Sequence, residues 1–104
     1  QEEVIVLHLD YANQVKGFQR LSIGGINSTT IDIRVVLSVA LKSFASGIII
    51  SHNHPTGNTE PSAQDIAITD RLNAACKIMD IQLLDHVILT PHAGYYSFRD
   101  EGKL

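Results

Sequence analysis

GIIISHNHPTGNTEPSAQD, from Gly47 to Asp65, changes character twice, and the two changes set the architecture. Ile48-Ile49-Ile50 is too short for a helix and apolar on both faces, so it reads as a central strand. After Ser51 a polar loop runs from His52 to Pro61, and Ser62 to Met79 then carries an apolar stripe of Ile66, Leu72, Cys76 and Met79 that predicts a helix. Upstream, Ile33 to Ala45 puts Val35, Val36, Val39, Ala40 and Phe44 at helical spacing, with Asp32 as N-cap and Gly47 closing the helix. Further back, Val4 to Leu9 is a β-branched run that predicts a buried strand. Asp10 to Gln14 carries turn chemistry, so Val15 to Ile23 pairs back as a hairpin strand, ended by Gly24-Gly25, with Asn27 to Thr30 a polar loop. Downstream, Ile81 to Thr90 reads as one or two strands, Pro91 to Gly94 as a turn and Tyr95 to Phe98 as a last strand. The order ββαβαββ predicts a sheet covered by helices, an α/β layered domain. In such sheets ligands collect at the loops that follow the carboxyl ends of strands, where residues 52–61 lie.

Composition narrows the classes of function. A chain of 104 residues is one domain, and 44% hydrophobic with 18% charged residues is globular, not disordered. Cys76 stands alone, which excludes an internal disulfide and any multi-cysteine zinc cage. Eight basic against eleven acidic residues give a net charge of −3, which argues against a dedicated nucleic-acid binder. No apolar run approaches the ~20 residues of a membrane span, and Gln1-Glu2-Glu3 is no signal peptide. The expectation is a cytoplasmic domain with no membrane partner; a chain that opens on a strand reads as a piece of a longer protein.

His52 and His54 are two residues apart at a strand end, so a period of two sends both imidazoles to one side and Asn53 to the other. Asp65 stands eleven positions after His54, in the first turn of the next helix, where strand end and helix start can converge. Two neutral imidazoles and one carboxylate match zinc and leave a fourth position for water, whose pKa zinc lowers to about 7. Ser62-x-x-Asp65 is equally a plain helix-capping pair, and a lone His-x-His is often just polar surface. The combined string His-x-His-Pro, glycine, Pro-Ser-x-x-Asp is much harder to reach by chance.

SHNHPTGNTEPSAQD resembles the His-x-His-Pro…Ser-x-x-Asp signature of the JAB/MPN (JAMM) metalloprotease domain, and within it the RadC branch of bacterial proteins. NSTTIDIR, FASGIII, LLDHVILT and GYYSFRDEG are similar to other segments of that branch, so the likeness covers residues 3–104. The resemblance implies a mixed β-sheet flanked by helices, a layered fold like that of cytidine deaminases. It implies one zinc ion per chain held by His52, His54 and Asp65, with Ser62 holding the oxyanion or bound water. It also implies hydrolysis of a peptide or isopeptide bond, and an N-terminal helical region ahead of this domain in the whole protein.

The family pattern further requires an upstream glutamate as general base, expected on the second strand around positions 19 and 20. Those residues are Gln19 and Arg20; glutamine can hydrogen-bond to a water but takes no proton at neutral pH, and arginine is no base. No glutamate falls between Glu3 and Glu60, so the catalytic set reads as incomplete, with Gln19 in place of the base. A zinc hydrolase of weak or absent activity and a non-catalytic metal-binding module that docks a protein partner are the two resulting readings. A DNA-repair role, which the RadC label suggests, runs against the scattered basic residues. A nucleoside deaminase is excluded by the absent Pro-Cys-x-x-Cys pair. The oligomeric state is not legible. Among the other candidates, His86 reads as a packed or supporting histidine, His8 and His92 as structural or exposed, and Cys76 as a small hydrophobe. Tyr95, Tyr96 and Phe98 read as core packing.

Overall fold

The computed structural model describes residues 2–22 and 31–104, with Ser22 described in its backbone alone. The expected end of the second strand at Ile23, its Gly24-Gly25 stop and the Asn27 to Thr30 loop lie outside the described residues.

The chain runs β1 (Glu3–Leu9), β2 (Val15–Ser22), α1 (Ile33–Lys42), β3 (Gly47–Asn53), α2 (Ala63–Ile78), β4 (Gln82–Leu89) and β5 (Tyr95–Ser97), which is the ββαβαββ order. These strands form one mixed sheet in the order β2-β1-β3-β4-β5. β3 and β4 are parallel, joined through α2, and the other pairs are antiparallel. The β1–β2 hairpin closes where Asp10 Oδ1 accepts from the amides of Ala12 and Gln14, with Asn13 at φ 60°.

One face of the sheet carries the core. Val4, Val6, Ile48, Ile50 and Leu83 from the strands meet Val36 and Ala40 of α1 and Ile68, Leu72 and Cys76 of α2, so both helices pack on this same face. On the other face Ile5, Leu7, Ile49 and Val87 are only half-buried.

Three expectations shift in detail. Gly47 does not close α1. The helix ends at Ser43, and the left-handed turn falls on Phe44 at φ 54°, with Phe44 N–H bonded to Leu41 O and Ala45 N–H to Ala40 O. Phe44 is therefore 90% exposed instead of lying on the apolar stripe, and Val35 is also exposed. Gly47 instead opens β3, where a Cβ would meet Leu84 Cδ1 at 2.8 Å. In α2 the buried stripe is Asp65, Ile68, Thr69, Leu72 and Cys76, while Ile66 and Met79 are exposed by more than a third. That rotation of the helix puts a carboxylate at the head of the core-facing stripe. Of the three C-terminal aromatics, Phe98 is buried, whereas Tyr95 is 62% exposed.

Candidate metal centre

β3 does not stop at Ile50 but continues through His52 and Asn53, so the first histidine sits on the sheet and only His54 begins the loop. The strand period puts His52 on the core face with Ile48 and Ile50, fully buried. α2 starts beside this strand end. Ser62 is its N-cap and forms a complete capping box: Asp65 N–H donates to Ser62 Oγ at 3.0 Å, and Ser62 N–H donates to Asp65 Oδ2 at 2.8 Å. The capping reading of Ser62-x-x-Asp65 is thus correct and still accounts for only one carboxylate oxygen. Asp65 Oδ1 is buried and has no hydrogen-bond partner among the described residues.

The two imidazoles face that carboxylate. His54 Nδ1 is 2.7 Å from Asn58 O, a carbonyl that can only accept, so Nδ1 carries the proton and Nε2 presents a lone pair 3.2 Å from Asp65 Oδ2. His52 Nε2 lies 2.6 Å from Glu2 Oε1 and donates to it; its Nδ1 lone pair is 3.5 Å from Asp65 Oδ1. These tautomers follow from the hydrogen-bond network. Two ring nitrogens and a buried carboxylate therefore converge on one point, an arrangement that a cation would satisfy. One nitrogen of each ring and one Asp65 oxygen lie within 4.8 Å of one another. A tetrahedral ion with ligand bonds of ~2.0–2.1 Å sets its donors ~3.3 Å apart, and the two rings lie at comparable distances from different oxygens of the carboxylate, 3.5 Å to Oδ1 and 3.2 Å to Oδ2. The donor set fits a divalent metal.

Glu2 is the residue that sequence reasoning missed. The upstream carboxylate was expected around positions 19 and 20, and the structure does not bring that strand to the cluster. β2 is two strands away from β3, and Gln19 instead accepts from His8 Nε2 at 2.8 Å and donates to Val35 O at 3.2 Å, tying β1 and β2 to α1. The carboxylate that stands at the histidines comes from β1, the direct antiparallel neighbour of β3. Val4 is paired with His52, so Glu2, two residues earlier, emerges on the same face at the strand end. Strict alternation along Glu2, Val4, Val6 and His8 carried the signal, but only the β1–β3 register gives it meaning. Glu3 points the other way, and its amide donates to Asn53 Oδ1 at 2.6 Å.

A cleft of about 240 Å³ adjoins the cluster, lined among others by Glu2, His54, Asn58, Glu60 and Ser62. Glu2 remains 28% exposed there and can reach solvent. None of the eight basic residues lines this cleft.

Beneath the site lies a second polar layer. His86, paired with Ile50 on β4, stacks on Phe98 with ring centroids 4.6 Å apart and lies 6.1 Å from the His52 ring. Its Nδ1 is 2.6 Å from Thr69 Oγ1, which in turn is 2.7 Å from Asp65 O. Burial pushes the His86 pKa down to about 4 and keeps the ring neutral, and burial lowers that of His8 as well. His92 is exposed, as read from the sequence, and Cys76 is buried with its thiol pushed up to about 11 by desolvation, which makes it inert.

Comparison with known proteins gives the family. The family described as RadC-like JAB domain matches residues 1–103. A UPF0758 protein of Porphyromonas gingivalis is 40% identical over 104 residues, all of this chain and 46% of its own length. One from Flavobacterium johnsoniae is 45% identical over 101 residues, 97% of this chain and 44% of its own, and one from Aquifex aeolicus is 41% identical over 104 residues, 45% of its own length. The chain spans a little under half the length of these curated relatives. With the metal-compatible triad at the end of β3 and a match along nearly all of its residues, the chain belongs to the RadC-like JAB domain family.

Proposed function

We propose that this domain is a zinc-dependent hydrolase that cleaves an amide or isopeptide bond in a peptide or protein. The observation that carries the proposal is the Glu2 carboxylate held 2.6 Å from His52, beside a triad whose Asp65 Oδ1 has no hydrogen-bond partner among the described residues. His52, His54 and Asp65 would hold the ion. When bound, zinc supplies a Lewis acid for the scissile carbonyl and lowers the pKa of water.

The chain's own groups have distinct tasks. One Glu2 oxygen accepts the His52 ring proton and fixes the ring, an arrangement common for metal-binding histidines. Its other oxygen, reached from the cleft, is a base for the attacking water: it takes one proton as the water oxygen bonds to the carbonyl carbon. It returns that proton to the amine nitrogen as the C–N bond breaks. The Ser62 hydroxyl accepts from Asp65 N–H and so keeps its own proton to donate to the carbonyl oxygen as negative charge builds. A metal-stabilised module without catalysis rested on the missing upstream carboxylate, and Glu2 removes that support.

The test is Glu2→Gln, which keeps size and hydrogen bonding and loses the base. With zinc content measured alongside, cleavage of fluorescence-quenched peptide and isopeptide-linked substrates is expected to fall by about 10²–10⁴. Equal rates for the two proteins at equal zinc content would refute the assignment.

A further inference from the structure

We infer that His86 and Thr69 are positioning residues for the metal centre, setting the distance between the helix that carries Asp65 and the strand that carries the histidines. The inference rests on the metal reading of His52, His54 and Asp65 but adds residues outside that triad.

The protons can be placed. Thr69 Oγ1 has a single hydrogen and two close neighbours, Asp65 O at 2.7 Å and His86 Nδ1 at 2.6 Å. Asp65 O can only accept. If the hydroxyl proton went to His86, two bare oxygens would face each other at 2.7 Å. The arrangement with a proton in each gap is His86 Nδ1–H donating to Thr69 Oγ1, and Thr69 Oγ1–H donating to Asp65 O. This fixes His86 as the Nδ1–H tautomer and leaves Nε2 a buried acceptor with no partner among the described residues.

Leaving an imidazole nitrogen buried and unpartnered forfeits its hydration with no return, so the ring is a costly way to fill space that phenylalanine could fill. What the histidine does that a hydrocarbon cannot is donate to Thr69. Both ends of the chain are anchored. The ring is stacked on Phe98 at an interplanar angle of 4° and sits on β4, which is paired along its length with β3. The other end is the backbone of the ligand residue itself. Asp65 lies in the first turn of α2, and Ser62 caps that turn from the loop side alone. The Thr69–His86 link holds it from the sheet side. A shift of this turn along β4 would change both histidine–carboxylate separations together.

The experiment measures zinc affinity of the 104-residue chain by competition with a chromophoric chelator, and the visible absorption of its cobalt-loaded form. Thr69→Val and His86→Phe each break the link with little change of shape. Thr69→Ser keeps the hydroxyl, and His86→Asn puts an amide N–H near the Nδ1 position. The expected result is a 10–100-fold weaker zinc affinity and an altered cobalt spectrum for Thr69→Val and His86→Phe. Parent-like behaviour is expected for Thr69→Ser, partial recovery for His86→Asn, and no further loss in the Thr69→Val/His86→Phe double variant. Parent-like affinity in Thr69→Val and His86→Phe would overturn the inference while leaving the metal centre standing, as would losses that simply add. Where a phenylalanine variant does not fold, the Thr69→Val and Thr69→Ser pair decides alone. Failure of the parent chain to bind zinc would overturn both this inference and the hydrolase proposal.

Discussion

Acid should destabilise the metal-free domain through one buried ring, and the size of the effect follows from the structure. His86 is fully buried, and its pKa is about 4 in the fold against 6.5 for a free histidine. A lowered folded value means that the unfolded chain takes up the proton first. The neutral ring's contribution is therefore intact above pH 6.5 and is lost as pH falls toward 4. At 1.36 kcal/mol per pH unit the full interval is worth about 3 kcal/mol, of which about 2 kcal/mol is gone by pH 5. That is a large share of the stability of a domain this size. The assay is urea unfolding with a chelator present, at intervals from pH 7 to 5, on the parent and on His86→Phe, which keeps a ring against Phe98 and cannot titrate. Carboxylates such as Asp32 and the buried His8 titrate in both proteins and cancel in the difference. The parent should lose about 2 kcal/mol more than the variant over this range. Parallel curves would show that His86 is not held neutral by burial and would refute the reasoning.

Two further outcomes are expected. Asp65→Asn keeps an acceptor for the Ser62 amide and removes a buried carboxylate whose Oδ1 has no hydrogen-bond partner among the described residues, so zinc binding should be lost while the metal-free protein melts at the same temperature or higher; a large drop in melting temperature would contradict this. Phe44→Gly relieves a left-handed residue that is 90% exposed and has little burial to lose, so stability should rise by about 1 kcal/mol in denaturant unfolding, and a loss would count against the helix-end geometry.

The local parts of the fold were legible because local rules produce them. A β-branched run marked β1, the apolar triple Ile48-Ile49-Ile50 marked the central strand, and Ser62 marked the start of α2. Errors arose where a residue took a role that another type usually fills. Phe44 and Asp80 both hold positive φ at helix ends, so the glycine at position 47 misled the placement of the first stop. The stripe of α2 was misread because its true members include Asp65 and Thr69, polar residues buried for the site and not for the core.

His52, His54 and Asp65 could be grouped from the sequence because a strand period and one connecting loop bring them together over fourteen positions. The carboxylate beside them could not. Glu2 reaches His52 across fifty positions of chain, and nothing local to either residue records that β1 lies antiparallel against β3 with Val4 opposite His52. The same holds for His86, which meets Thr69 only because β4 runs parallel to β3 under α2. Spacing along one chain segment determined the triad. The register between strands, fixed by burying one continuous apolar face, decided which acid stands beside it and which ring supports it.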